Sequence, residues 1–219
     1  MKNIIYAILI YNFLFSLDNN EIGLFSISRI HYDGGGDWYA NPSSLPNLLE
    51  FISNNTSIKV NLNENKVKIG DDLFYKNFYF YITGHGNIKF TNKELLILRK
   101  HLQNGAFLHV DDNYGLDKSF RKTVKELFPD KELIELPPDH PIFHCYYTFD
   151  NGLPKIHEHD NQPPQALGIF HEKKLILLYT YESDLGDGWE DKNVHNNPES
   201  IRLDALKMGT NIVIYNLIQ

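Results

Sequence analysis

This chain of 219 residues has a single cysteine, Cys145, so no internal disulfide can form and one sizeable packed core is the expected source of stability. It also has no surplus of positive charge. The 21 Lys and Arg are outnumbered by 28 Asp and Glu, giving −7 with both signs interspersed, and no basic stripe exists to neutralise a phosphate backbone. Nucleic acid is therefore excluded as an expected partner. Cofactor motifs are missing as well. The triple glycine in Asp33-Gly34-Gly35-Gly36-Asp37 lacks Gly-x-Gly-x-x-Gly spacing and a P-loop lysine, and its two acids would repel a phosphate. Nucleotide binding is disfavoured and no cofactor is expected. Linkers and repeats are also absent, which leaves one domain over residues 21–219 as the expected organisation.

Long apolar runs are confined to the start, where Lys2 precedes Ile4 to Leu17 and then a polar Asp18-Asn19-Asn20-Glu21. The run is short for a bilayer span and fits a secretory leader over residues 1–20, with a buried first strand or an uncleaved anchor as the other readings. An exported protein, periplasmic or envelope-associated, is the expectation.

The body of the chain alternates strand and helix signals. Phe25 to His31 alternates and runs into the glycine loop; a helix from about Ser44 follows, with Leu45, Leu48, Leu49 and Ile52 on one face. Strands are expected at Ser57 to Leu62 and, more briefly, at Val67 to Ile69. Phe78 to Ile82 is a strong strand, Thr91 and Glu94 have capping-box spacing for the next helix, and Ala106 to Val110 is a second strong strand. That is a βαβ unit, whose crossover implies parallel strands. Further helix and strand patterns at Ser119 to Phe128, Leu133 to Leu136, Lys173 to Tyr181 and Glu199 to Leu217 complete a repeating order. The fold class expected is α/β, a three-layer, doubly wound, mostly parallel sheet.

Polar residues gather where the two strong strands end, at Thr83-Gly84-His85-Gly86 and at Asp111-Asp112-Asn113-Tyr114-Gly115. Ligands of open α/β sheets bind beyond the carboxyl ends of strands, so both loops are expected to share one crevice. Asp111 and Asp112 suit metal binding or acid/base work, or else cap the next helix and bond loop amides. His85, between Gly84 and Gly86, is placed to act as base, donor or ligand, or to tie two loops together. Trp38 and Trp189 each follow a Gly/Asp cluster and read either as stacking platforms or as core fillers.

His140 joins the candidate ligand-binding residues. His157 and His159 would share one side of a strand, and with His31, His85, His109 and the acids they make a divalent-metal site conceivable. No histidine spacing matches a standard zinc signature. The stretch Asp184 to Asp191 is rich in acids but lacks calcium-loop spacing, and reads as a surface loop or lid.

Taken together, the blocks RIHYDGGGDWYANPSSLPNLL, YITGHG, GAFLHVDDNYG, LPPDHPIFHCYY, DLGDGW and ALKMGTNIVIYNL resemble a family of bacterial exported proteins known only as a domain of unknown function. That family is similar to the class I glutamine-amidotransferase-like superfamily, and more distantly to ThuA-like trehalose-utilisation proteins. The resemblance covers about Phe25 to Leu217 and implies a flavodoxin-like sheet. It does not carry the glutaminase reaction over, because the turn matching the nucleophile's lies near Asp111-Asp112 and holds neither Cys nor Ser. Two functions follow: binding or processing of a small polar ligand, carbohydrate included, at the crevice, or non-catalytic holding of a protein partner at the envelope.

Overall fold

The computed structural model describes residues 23–219, so the leader expected over residues 1–20 lies outside the described residues. The strong apolar runs become the central strands β3 (Tyr79–Gly84) and β4 (Phe107–Asp112), paired in parallel from Tyr79↔Phe107 to Gly84↔Asp112. Around them the strands β1 (Ser28–Ile30), β2 (Asn65–Val67), β5 (Ile134–Glu135), β6 (Gln165–His171) and β7 (Lys174–Tyr181) complete a seven-stranded sheet. Its order is β2-β1-β3-β4-β7-β6-β5, and only β6 runs against its neighbours.

Seven α-helices occur among the described residues: α1 (Ser44–Asn55), α2 (Asp72–Tyr75), α3 (Asn92–Gln103), α4 (Asp117–Leu127), α5 (Leu185–Trp189), α6 (Lys192–His195) and α7 (Glu199–Ile218). Because side chains alternate along a strand, β3 and β4 feed two cores at once. Phe80, Ile82, Leu108 and Val110 pack with Leu95 and Leu98 of α3 and Phe120 and Val124 of α4. On the other face Tyr79, Tyr81 and Phe107 pack with Leu48 and Ile52 of α1 and Met208 and Ile212 of α7. No helix among the described residues is long and apolar enough to cross a membrane.

The capping box is formed as spaced: Glu94 N donates to Thr91 Oγ1 at 3.2 Å, and Thr91 N donates to Glu94 Oε2 at 2.7 Å. Thr91→Ala should therefore cost about 1 kcal/mol of stability. Urea unfolding reads this directly, and an unchanged midpoint would mean that the start of α3 is held by packing alone.

Two expectations need correction, and one strand is added. Residues 57–62 form no strand; Val60 makes only an isolated bridge to Phe25, and the partner of β1 is Asn65–Val67. Gln165–His171, for which no element is expected, is β6, paired to β7 from Gln165↔Tyr181 to His171↔Lys174. The stretch 184–191 is not a surface loop: Asp184 and every residue of α5 are buried. Leu185 and Trp189 join the α1/α7 core, which is why so polar a segment folds inward.

Candidate functional site

The loops after β1 and β3 are locked against each other. Gly36 N donates to Asn87 O at 2.9 Å, and a Cβ on Gly36 would stand 2.8 Å from both Asn87 O and His85 O. The glycines thus serve close backbone packing rather than anion binding. His85 is exposed, and its Nδ1 lies 3.0 Å from Asp37 Oδ2 while its backbone N–H donates to Asp37 Oδ1. It ties the two loops together. Gly84 has φ of 138°, and a Cβ there would fall 2.3 Å from the Tyr32 hydroxyl. Gly86 also has positive φ, at 83°. Trp38 is half-buried and stacks on His31 with ring centroids 4.2 Å apart.

The acid pair continues β4, so its members face opposite sides of the sheet. Asp111 is fully buried and accepts from Gly186 N at 2.7 Å and Thr180 Oγ1 at 2.5 Å. Burial pushes its carboxyl up to about 7. His109 Nε2 lies 3.0 Å from the same Thr180 hydroxyl, and burial holds that imidazole down to about 3, hence neutral. Asp112 accepts from Tyr114 N at 2.9 Å, Leu116 N at 3.0 Å and the Tyr179 hydroxyl at 3.1 Å. It too is raised, by burial first, against those hydrogen bonds. Asn113 and Asn41 exchange side-chain hydrogen bonds, and Asn41 Nδ2 also donates to Asp187 Oδ1 at 2.8 Å.

Beyond β7 the chain turns sharply at Asp184, which has φ of 58°, a left-handed conformation that is uncommon outside glycine. The turn delivers Asp184 and Asp187 to two histidines of the preceding long loop. His159 Nε2 contacts Asp184 Oδ2; His157 Nδ1 stands 3.7 Å from that oxygen and 3.4 Å from Asp187 Oδ2. His195, ending α6, places Nδ1 3.6 Å from Asp187 Oδ2 and Nε2 3.0 Å from Glu190 Oε2. Burial, then the neighbouring charges of Asp111, Asp187, Asp112 and Glu182, push Asp184 up to about 10. Burial, and then His157, lower His159. The ligating atoms of His157, His159 and Asp184 all lie within 4.8 Å of one another, so these three could hold a metal.

Charge at this end of the sheet is one-sided. Asp111, Asp112, Glu182, Asp184, Asp187 and Glu190 are all buried, and the one buried cation among the described residues is Arg29. Its guanidinium is already engaged by Glu64 at 2.6 Å. A cavity of about 290 Å³ opens beside these acids, lined by Asp112, Tyr114, Lys118, His159, Tyr181 and Glu182 among others. Tyr114 stacks on His159 at 4.6 Å and fixes its ring.

Two sequence-derived candidates lie elsewhere. His140 caps the 3₁₀ turn Pro141–Phe143 by accepting from Ile142 N and packs on Phe170 and Tyr215. Phe170 pairs with Leu175 at the start of β7, so His140 sits at the opposite end of the sheet from the acids. Trp189 is fully buried; its Nε1 donates to Ala205 O at 2.7 Å, which makes it a core side chain and not a pocket wall. Cys145 cannot stand in for the absent nucleophile: burial raises its thiol, and its Sγ lies 3.3 Å from Asn211 O of α7.

Fold and site define a mostly parallel α/β domain with an acid- and histidine-rich crevice at the carboxyl ends of β4 and β7. The chain belongs to the DUF4159 family, a domain of unknown function whose family model matches residues 26–217. No curated protein matches it.

Proposed function

We propose that this domain binds a small polar ligand, with a polyhydroxylated compound as the best fit, in the cavity beyond β4 and β7. The cavity itself carries the reading: about 290 Å³ suits a ligand of sugar size, lined by carboxylate acceptors, the Lys118 donor and the rings of Tyr114 and Tyr181. Glutaminase chemistry is not part of it, since β4 ends in Asp111 and Asp112 with no Cys or Ser beside them, and both spend their oxygens on protein donors. In this reading the sheet is the flavodoxin-like, doubly wound scaffold of the class I amidotransferase-like superfamily, with ThuA-like proteins as distant kin. The protein acts after export, as Lys2 and the apolar run to Leu17 indicate.

Calorimetric titration with glucose and trehalose tests the reading. Saturable binding that Tyr181→Ala weakens about tenfold or more, for a ring contact plus lost cavity wall, is the expected result. If neither sugar binds, nor a wider panel of polyols and amino sugars, the ligand reading is lost.

A further inference from the structure

His159 Nε2 meets Asp184 Oδ2 in direct contact, but the other histidine–aspartate separations beyond β7 are wider and match those of ligands around a shared ion. Donors held tetrahedrally at about 2.0–2.1 Å from a zinc-class ion lie roughly 3.3–3.4 Å from one another. His157 Nδ1 to Asp187 Oδ2 is 3.4 Å, His195 Nδ1 to the same oxygen is 3.6 Å, and His157 Nδ1 to Asp184 Oδ2 is 3.7 Å. These separations exceed ordinary hydrogen bonds, yet they bring nitrogen and carboxylate oxygen together around one point.

A second observation is independent of the spacing. Asp184 is completely buried and its Oδ1 finds no hydrogen-bond partner among the described residues. A buried carboxylate oxygen without a donor is costly, and it is relieved either by a proton or by a bound cation. The left-handed backbone at Asp184 points the same way, since strain at a non-glycine residue persists where the surroundings demand it. Glu190 completes the arrangement: with Nδ1 of His195 turned to Asp187, its Nε2 meets Glu190 Oε2 at 3.0 Å, the carboxylate–histidine pairing that orients metal ligands.

We propose that His157, His159 and Asp184 bind a divalent transition-metal ion of the zinc class, with Asp187 as a fourth donor, His195 beside it and Glu190 orienting His195. Imidazole with carboxylate selects zinc, iron, cobalt or manganese over the all-oxygen sites of calcium and magnesium. His157 is half exposed, which leaves a face of the ion open to solvent. His159 is shared with the cavity wall, so an ion here would stand at its edge. The site stands apart from the ligand reading, because none of its geometry depends on what the cavity holds.

The test uses the full chain, stripped with chelator, dialysed and titrated with Zn²⁺ and separately with Co²⁺. One equivalent per chain by elemental analysis, with a cobalt absorption spectrum of low-symmetry coordination, is expected. His157→Ala should keep its fold, since the ring is half exposed, and should weaken binding at least 100-fold. Absence of stoichiometric metal after loading would overturn the proposal, as would one equivalent bound with unchanged affinity and cobalt spectrum in both His157→Ala and His159→Ala.

Discussion

Arg29→Ala is expected to cost about 3–5 kcal/mol, the usual penalty for removing one partner of a buried ion pair. Arg29 is 1 % exposed and its Nε donates to Glu64 Oε2 at 2.6 Å, with Glu64 itself almost enclosed. The guanidinium also donates to Ala40 O at 2.8 Å and Asn41 O at 3.2 Å. Alanine would leave the Glu64 carboxylate and the Ala40 carbonyl without their guanidinium donor in a space water hardly reaches, and would leave the Asn41 carbonyl to Ser44 alone. The damage should reach the crevice, because those carbonyls hold Asn41 in a left-handed conformation, with φ of 55°, from which its amide bonds Asn113 and Asp187. Urea unfolding measures the first effect, and zinc affinity of the variant at low temperature measures the second. A loss below about 1 kcal/mol would show that Glu64 finds another partner or water. Arg29→Met with Glu64→Met should recover much of the loss, since the pair's desolvation cost disappears with the charges.

The second large effect is a dependence on pH. The folded protein holds Asp111 protonated up to about 7, whereas the unfolded chain releases that proton near 3.8. Between those values the native state binds more protons than the unfolded state, so this group's stabilisation, complete below pH 3.8, is lost as pH rises toward 7. His109 works in the opposite direction: its folded value of about 3 lies below the ordinary 6.5, so its contribution is present above 6.5 and lost as pH falls toward 3. Each slope approaches about 1.4 kcal/mol per pH unit. Asp111→Asn should therefore gain stability relative to the parent as pH rises from about 4 to 7, by about 4 kcal/mol in all. His109→Gln should diverge the other way over the acid range. Denaturant melts of metal-free protein across that range check both, and parallel curves for parent and Asp111→Asn would refute the assignment.

The parts of this molecule legible from its sequence are those with local causes. Thr91 and Glu94 announce α3 because a capping box is complete within four residues, and the strands at 79–84 and 107–112 announce themselves because both their faces are buried. The acids at the end of β4 could be found for the same reason. What could not be read depends on contacts distant in the chain. β6 carries Gly168 and follows Pro163 and Pro164, and its strand character comes from pairing with β7.

The stretch from Glu182 to Glu190 looks solvent-facing by composition, and it is buried because its acids meet Lys155, Asn41, Ser43 and three histidines supplied from other segments. The proposed metal-binding group could not appear as a motif, since His159 and Asp184 are 25 residues apart and converge only through the turn after β7. The His157-x-His159 pair and the acid-rich stretch were both visible, and nothing local joined them.

The place of β7 between β4 and β6 bears on how the chain is made. β4 is complete at residue 112, but its second neighbour is not available until residue 181. During synthesis, or passage through a narrow conduit, the half-built sheet ends in β4, an apolar edge with open hydrogen-bonding groups. Closing it means bridging about 70 residues, a slow step by the logic of contact order. A product shortened before Lys174 should therefore aggregate rather than survive as a smaller domain, and chaperone demand should fall sharply once β7 has emerged.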